Sequence, residues 1–110
     1  MLKVTVENLG DETVLRCTGR IVRGEETTLS CAVMREQRRS LILDLTEVEG
    51  IDAAGIGLLV SLQAAGIYLT LMNPTKAVRE TLRVTNLDSI FEIGELLSTE
   101  EIVDGVAALV

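Results

Sequence analysis

The sequence has no histidine, and Tyr68 and Phe91 are its only aromatic residues. The absence of histidine removes the usual general base near neutral pH and the commonest metal ligand. The scarcity of aromatic side chains leaves no platform on which the bases of a nucleic acid could stack. Histidine-dependent catalysis and nucleic acid binding by base stacking are therefore not expected.

Metal and cofactor motifs are missing as well. Cys17 and Cys31 have neither the CxxC spacing nor the neighbouring ligands that metal and redox sites need, and both are expected to be small core residues. The chain has no GxxxxGK[ST] motif, and the GxG of Gly55 and Gly57 continues to Val60, where a dinucleotide fingerprint needs a third glycine. No metal, cofactor or phosphate-binding loop is predicted.

Positive charge is also in short supply, because ten basic residues face 17 acidic ones and the formal net charge is −7. Such a surface repels the phosphates of nucleic acids and anionic lipid headgroups. No apolar stretch reaches the roughly 20 residues that a membrane-spanning helix needs, and no secretory signal pattern opens the chain. We expect a soluble cytoplasmic protein without nucleic acid partners or membrane insertion.

The 110 residues that are present suit one domain over residues 1–110 with an aliphatic core. Alternating apolar residues from Leu2 to Val6 and over residues 12–19 predict two short strands, joined as an antiparallel pair. A helical pattern follows over residues 25–39. The nearly continuous apolar run of residues 40–45 predicts a central strand that is covered on both faces.

The second half of the chain continues this alternation, with a helix predicted over residues 54–65 and a strand over residues 66–73. Asn73 is predicted to cap a further helix with Pro74 in its first turn, and residues 88–93 to hold a short edge strand. Ser98 and Glu101 form a capping box before a last amphipathic helix. The order predicts an α/β fold with a mixed sheet of four to five strands and about four helices.

The segment IDAAGIG, residues 51–57, lies where a strand ends and a helix begins, at the edge of the sheet where ligands and partners commonly bind. Asp52 is predicted to cap the helix, and Gly55 and Gly57 to bring it close to a neighbouring surface. By local physics alone, a capped and closely packed helix is favoured over a binding site.

The longer segment LILDLTEVEGIDAAGIGLLVSL, residues 41–62, resembles the signature of STAS domains, the class that includes bacterial anti-sigma-factor antagonists. The likeness continues through GRIVRGEETTL, residues 19–29, and LTLMNPTKAVRETLRVTNLDSIFEI, residues 69–93. It implies a STAS-like fold and a non-enzymatic module for transcription regulation. The implied partner is an anti-sigma factor or a related kinase-like regulator.

In that family the residue after the aspartate is commonly a serine or threonine that an anti-sigma kinase phosphorylates. Ala53 occupies this position and Ala54 the next, so the resemblance implies a degenerate phosphorylation site held in a state like the unmodified one. The implied partner-binding face consists of Ile21, Arg23, Gly24, Glu25, Gly50, Asp52, Ala53, Ala54, Gly55 and Gly57.

Two other functions remain open on the sequence. STAS-like domains also serve as structural or scaffold subunits of lipid-transport and stress-sensing assemblies, and a homodimer is compatible with either role. Enzymatic activity is not expected, because the available carboxylate pairs fit solvated or capping positions and no nucleophile or base accompanies them; these pairs are Glu47 with Glu49 and Glu100 with Glu101. Other hydroxyls could accept a phosphate in principle, namely Thr46, Ser61, Ser89 and Ser98.

Overall fold

The computed structural model describes residues 1–95 of the chain, which form five strands and three helices. The strands and helices alternate after an initial hairpin, as the apolar periodicity predicts. In chain order the elements are β1 (Leu2–Leu9), β2 (Glu12–Ile21), α1 (Glu26–Arg35), β3 (Ser40–Ile51), α2 (Ala53–Ala64), β4 (Tyr68–Met72), α3 (Lys76–Val84) and β5 (Glu92–Gly94).

The five strands make one mixed sheet in the order β1-β2-β3-β4-β5. β1 and β2 are antiparallel, and the pairs from β2 through β5 are parallel. The apolar run of residues 40–45 lies in β3 at the centre of the sheet, which confirms the predicted central strand. Because β2 and β3 run in parallel, the segments that follow them emerge at the same edge of the sheet.

The helices and the sheet enclose one main aliphatic core. Leu29 of α1, Leu59 of α2 and Leu82 of α3 are completely buried, and they belong to one cluster with Leu43 and other alternate residues of the strands. A smaller cluster lies on the other face of the sheet, where Val14, Ile42 and Met72 are buried. Alternate residues of β3 are therefore buried on opposite faces, which explains the uniform apolar character of this strand.

Two helix boundaries differ from the prediction. α1 ends at Arg35, short of residue 39, because Gln37 adopts the left-handed conformation with φ of 52° and interrupts the helix. The prediction that Asn73 caps the third helix is wrong: Asn73 is left-handed, with φ of 52°, and Thr75 is the N-cap. The Thr75 hydroxyl accepts a bond from the Val78 N–H and donates one to the Val48 carbonyl at 2.8 Å.

The number of helices can be compared only within residues 1–95, and the burial of one cysteine differs from the prediction. Three helices lie within residues 1–95, and the fourth predicted helix, from Ser98 onward, falls outside the described residues. Cys17 is buried as expected, but Cys31 is exposed on α1 and is not a core residue. Burial raises the pKa of the Cys17 thiol to about 12, with a further contribution from the nearby Asp44 carboxylate.

Candidate functional site

The segments after β2 and β3 meet at one edge of the sheet, and this contact brings the predicted site residues together. The two strands pair as far as Ile21 and Ile51, the last residue of each. Just beyond, the Asp52 N–H donates to the Ile21 carbonyl at 3.3 Å. The start of α2 is therefore joined to the loop that leads from β2 into α1.

Asp52 connects these two segments through its side chain. One carboxylate oxygen accepts a hydrogen bond from the Gly55 N–H at 2.9 Å, which caps α2 as predicted. The other accepts from the Arg23 N–H at 3.0 Å, across the two loops. These bonds, the one from Arg23 first and the one from Gly55 next, lower the pKa of Asp52 because they stabilise its ionised form.

Gly55 allows α2 to begin directly against the end of β2. A Cβ atom at this position would lie 2.1 Å from the Ile21 carbonyl oxygen and 2.7 Å from Cγ1 of Ile51, so no larger residue fits without a shift of the backbone. Gly57 is different, because a Cβ atom there would have no neighbour within 4 Å. The predicted close approach is therefore made inside the protein by Gly55, whereas Gly57 faces open space.

The loop of residues 22–25 is held at both ends. The Glu25 N–H donates to the Val22 carbonyl at 2.9 Å, and Gly24 adopts φ of 99°, a conformation that favours glycine. The Glu25 carboxylate accepts from the Leu2 N–H at 2.7 Å, which joins the loop to the start of the chain. The loop is therefore closely turned and anchored to both β1 and α2.

Seven of the ten predicted site residues lie on a continuous surface, but three do not. Ile21 is completely buried and contributes its backbone carbonyl, and Gly55, in the first turn of α2, is buried against the end of β2. Gly50 is partly buried within β3. We call the remaining set the junction surface; it comprises Arg23, Gly24, Glu25, Asp52, Ala53, Ala54 and Gly57, of which Arg23, Gly24, Ala53 and Gly57 are exposed.

The outward side of α2 extends this surface and has an unusual composition. The helix sequence AAGIGLLVSLQA contains no charged residue, and its exposed positions are the small residues Ala53, Gly57, Ser61 and Ala64. Exposed helix faces normally carry charged or long polar side chains. The junction surface therefore continues into a flat, uncharged helix face on which a partner backbone could approach closely.

The carboxylates of Glu47 and Glu49 lie apart from Asp52. Both are exposed and line an open hollow of about 410 Å³ together with Thr18, Thr46 and Thr75. Glu49 faces Arg20 at 3.7 Å, with both side chains largely exposed. This arrangement fits solvated surface charges, and among residues 1–95 no cluster of three potential metal ligands occurs.

Two features of the site carry no signal in the sequence. The bonds from the Arg23 N–H to Asp52 and from the Leu2 N–H to Glu25 join residues that are 29 and 23 positions apart. Both donors are backbone groups, which every residue except proline has, so residue type alone cannot indicate them.

Among helices of the described residues, none is long and apolar enough to span a membrane.

Comparison with known proteins gives one family and a consistent set of relatives. The family model described as STAS domain matches residues 3–101. A Thermotoga neapolitana protein, assigned as an anti-sigma factor antagonist and TM1081 homologue, is 34% identical over 62 residues, which cover 53% of this chain and 55% of that protein. The matched segment thus spans about half the length of this curated relative.

Two solved structures show the same fold. The structure of TM1081 from Thermotoga maritima, assigned as an anti-sigma factor antagonist, has a TM-score of 0.73 at 22% identity and covers 92% of each chain. The anti-sigma factor antagonist SpoIIAA of Bacillus, in its unphosphorylated form, has a TM-score of 0.71 at 20% identity, covering 98% of this chain and 99% of that one. At these identities the likeness concerns the fold.

Proposed function

This chain belongs to the STAS domain family, and from that premise we propose that it is a non-enzymatic interaction module that acts as an anti-sigma factor antagonist. Its partner is an anti-sigma factor or a related kinase-like regulator. The observation that carries the proposal is the pair of hydrogen bonds that the Asp52 carboxylate accepts, one from the Arg23 N–H and one from the Gly55 N–H. One side chain thereby aligns two exposed segments into a single docking surface.

Ala53 determines how this surface is regulated. It is the first residue of α2, it is exposed, and it has no hydroxyl group to which a phosphate could be attached. SpoIIAA has been solved in both phosphorylated and unphosphorylated forms. A phosphate would add nearly two negative charges to the docking surface. We propose that this chain presents the unmodified surface permanently.

The outward side of α2 supports docking by close contact. With Ala53, Gly57 and Ser61 exposed and no charge between residues 53 and 64, a partner loses no strongly hydrated group when it covers the helix. Asp52 uses its charge in the hydrogen bonds that join the two segments, and the other charges of the junction surface, on Arg23 and Glu25, are assigned to the rim of the proposed contact. Rim charges of this kind influence association rate and specificity more than they influence affinity.

The proposal is tested by titrating the protein with each anti-sigma factor encoded in its own genome, using isothermal titration calorimetry. The informative variant is Ala53→Asp, and the matched control is Ala77→Asp in the first turn of α3, where the alanine is also exposed. Both changes place a carboxylate at a helix N-terminus, where the helix dipole tolerates it. We expect Ala53→Asp to weaken binding by about tenfold or more and Ala77→Asp to leave it unchanged.

Absence of binding to every anti-sigma factor would contradict the proposal, as would an equal loss of affinity in both variants. The Ala53→Ser variant gives a separate test of the vacated position. Both proteins are incubated with ATP and a partner that has kinase activity. We expect the variant to be phosphorylated at position 53 and the wild-type loop to stay unlabelled. Mass spectrometry of the peptide that contains position 53 measures the result.

A further inference from the structure

β1 forms one edge of the sheet, and its length and regularity are unusual for an edge. It has eight residues, and it pairs with β2 without a bulge from Leu2 opposite Gly19 to Leu9 opposite Glu12. No described element pairs with its outer side, and it contains no proline. Edges are normally protected by short strands, prolines, bulges, charged side chains or covering elements. Of these, the described structure gives β1 only charged side chains, Lys3 and Glu7. The opposite edge follows this rule, because β5 has three residues.

The outward backbone groups of β1 can be identified from the hairpin. Gly10 and Asp11 form a two-residue turn, so Leu9 and Glu12 close the hairpin as a hydrogen-bonded pair. Because hydrogen-bonded and non-bonded pairs alternate along an antiparallel ladder, the N–H and C=O groups of Val4 and Val6 point away from β2. The bond from the Leu2 N–H to Glu25 agrees with this alternation.

The side chains of β1 are complementary to a second, antiparallel copy of the same strand. If two copies pair about Thr5, Lys3 faces Glu7 of the other copy twice, and Val4 faces Val6 twice. Opposite charges and apolar side chains in directly opposed positions both stabilise strand pairs. Moving the axis to Val4 or Val6 would place Lys3 opposite Thr5 or Leu9, and both charge pairs would be lost.

We propose that β1 is the interface of a two-fold symmetric homodimer that pairs edge to edge with Thr5 on the axis. Lys3 is exposed and has no ion pair with any described residue. Glu7 contacts Arg16 at 2.8 Å, but 41% of its side chain stays accessible, so it can also face a lysine. Val6, 39% exposed, would be covered by Val4 of the second copy.

A dimer of this kind closes on itself, because both copies use the same surface. Among the described residues, it would contain a ten-stranded sheet whose two outermost strands are the three-residue β5 strands. The backbone contributes hydrogen bonds at the outward positions Leu2, Val4, Val6 and Asn8, except for the Leu2 N–H, which already donates to Glu25. A single pair of strands forms the interface, so it is small and the association is expected to be weak and concentration-dependent. The proposed contact does not use the α2 face, and it is independent of the function proposed above.

Analytical ultracentrifugation of the purified full chain tests the proposal from about 5 to about 500 µM, a range that brackets micromolar to submillimolar dissociation constants. Salt at about 0.15 M screens the long-range repulsion between two acidic copies beyond about 8 Å. We expect the wild type to shift towards dimer with concentration. Lys3→Glu and Glu7→Lys each oppose like charges twice, and each should raise the dissociation constant by about tenfold or more.

An equimolar mixture of these two variants provides the decisive comparison, because each acidic strand then faces a basic one. Native mass spectrometry of the mixture should show a heterodimer, whereas each variant alone should stay largely monomeric. Lys76→Glu makes the same charge change on α3 and should leave the wild-type dimer intact. The thermal midpoint of each variant shows whether it is folded.

The register is tested by disulfide trapping in a Cys31→Ser background, which removes the exposed native thiol. Thr5→Cys would place two thiols opposite each other on the axis, at a Cα separation of about 4.5 Å that a disulfide can span. In Lys3→Cys, the two thiols would be four residues apart along the strands, about 14 Å. Rapid crosslinking of Thr5→Cys alone supports the proposal. A wild type that stays monomeric at the highest concentration, or equal crosslinking of both variants, overturns it.

Discussion

Gly55 and Gly57 lie two residues apart in the same helix, yet the structure predicts opposite effects when each is replaced by alanine. At Gly55 the new Cβ atom would lie 2.1 Å from a backbone carbonyl oxygen, and at Gly57 it would meet nothing within 4 Å. The obstacle at Gly55 belongs to the main chain of Ile21, so rotation of a side chain cannot relieve it. The end of β2 or the start of α2 would have to move by more than an ångström.

The expected magnitudes follow from two opposing contributions. Replacing a helical glycine with alanine stabilises a helix by about 0.8 to 1 kcal/mol. Inserting a methyl group into a closely packed position costs about 1 to 3 kcal/mol, and the contact with a main-chain oxygen favours the upper end of this range. We therefore expect Gly55→Ala to lower the free energy of unfolding by about 2 kcal/mol and Gly57→Ala to raise it by up to about 1 kcal/mol.

The two variants are compared by urea unfolding followed by circular dichroism, with the thermal midpoint as a second measurement. For a chain of this size, 1 kcal/mol corresponds to about 4 °C, so Gly55→Ala should lower the midpoint by about 8 °C. An unchanged dependence on urea concentration would show that the compactness of the two end states is preserved. If Gly55→Ala is as stable as the wild type, the close approach of α2 to β2 is not as tight as described, and the reasoning fails.

Further predictions concern thiols, acid stability and the cap of α3. Cys31 should react with a thiol reagent in the native protein at pH 8, whereas Cys17, buried and with its pKa raised to about 12, should react only after unfolding. Folding lowers the pKa of Asp52, so its ionised carboxylate stabilises the protein at pH values above the ordinary aspartate pKa of 3.8. This contribution is lost as the pH falls through the lower pKa of the folded protein. Asp52→Asn should therefore lose less stability than the wild type as the pH falls below about 4 in urea titrations. Thr75→Ala should cost about 1 kcal/mol in the same assay, and Thr75→Ser should retain most of the stability, because the bonds to Val48 and Val78 depend on the hydroxyl.

The sequence predicts the structure well where an apolar pattern is long or where a capping residue favours only one local conformation. The apolar run of residues 40–45 has one interpretation that buries it on both faces, and β3 is the central strand. Asp52 directly precedes an apolar helical pattern, and it caps α2. Asn73 shows the limit of local signals, because asparagine is favoured both as an N-cap and in the left-handed conformation, and it adopts the second here.

Local pattern alone also gives the wrong prediction at positions with mixed chemistry. Cys31 is apolar enough for a core, but it lies on the outer side of α1. Gly55 and Gly57 are the same residue type two positions apart, and local pattern predicts a close approach for both. Only Gly55 contacts β2, because residues two positions apart in a helix project from different sides.

The sequence by itself determined the order of the elements, the central position of β3, the cap at Asp52 and the absence of a hydroxyl at Ala53, because these depend on residue type and local spacing. Only the tertiary structure decided that Asp52 also bonds to Arg23, that Ile21 and Gly55 are buried under the junction surface, and that no described element covers the long edge strand β1. These features depend on backbone groups distant in sequence, whose meeting is set by the packing of the whole chain and carries no mark in any single residue.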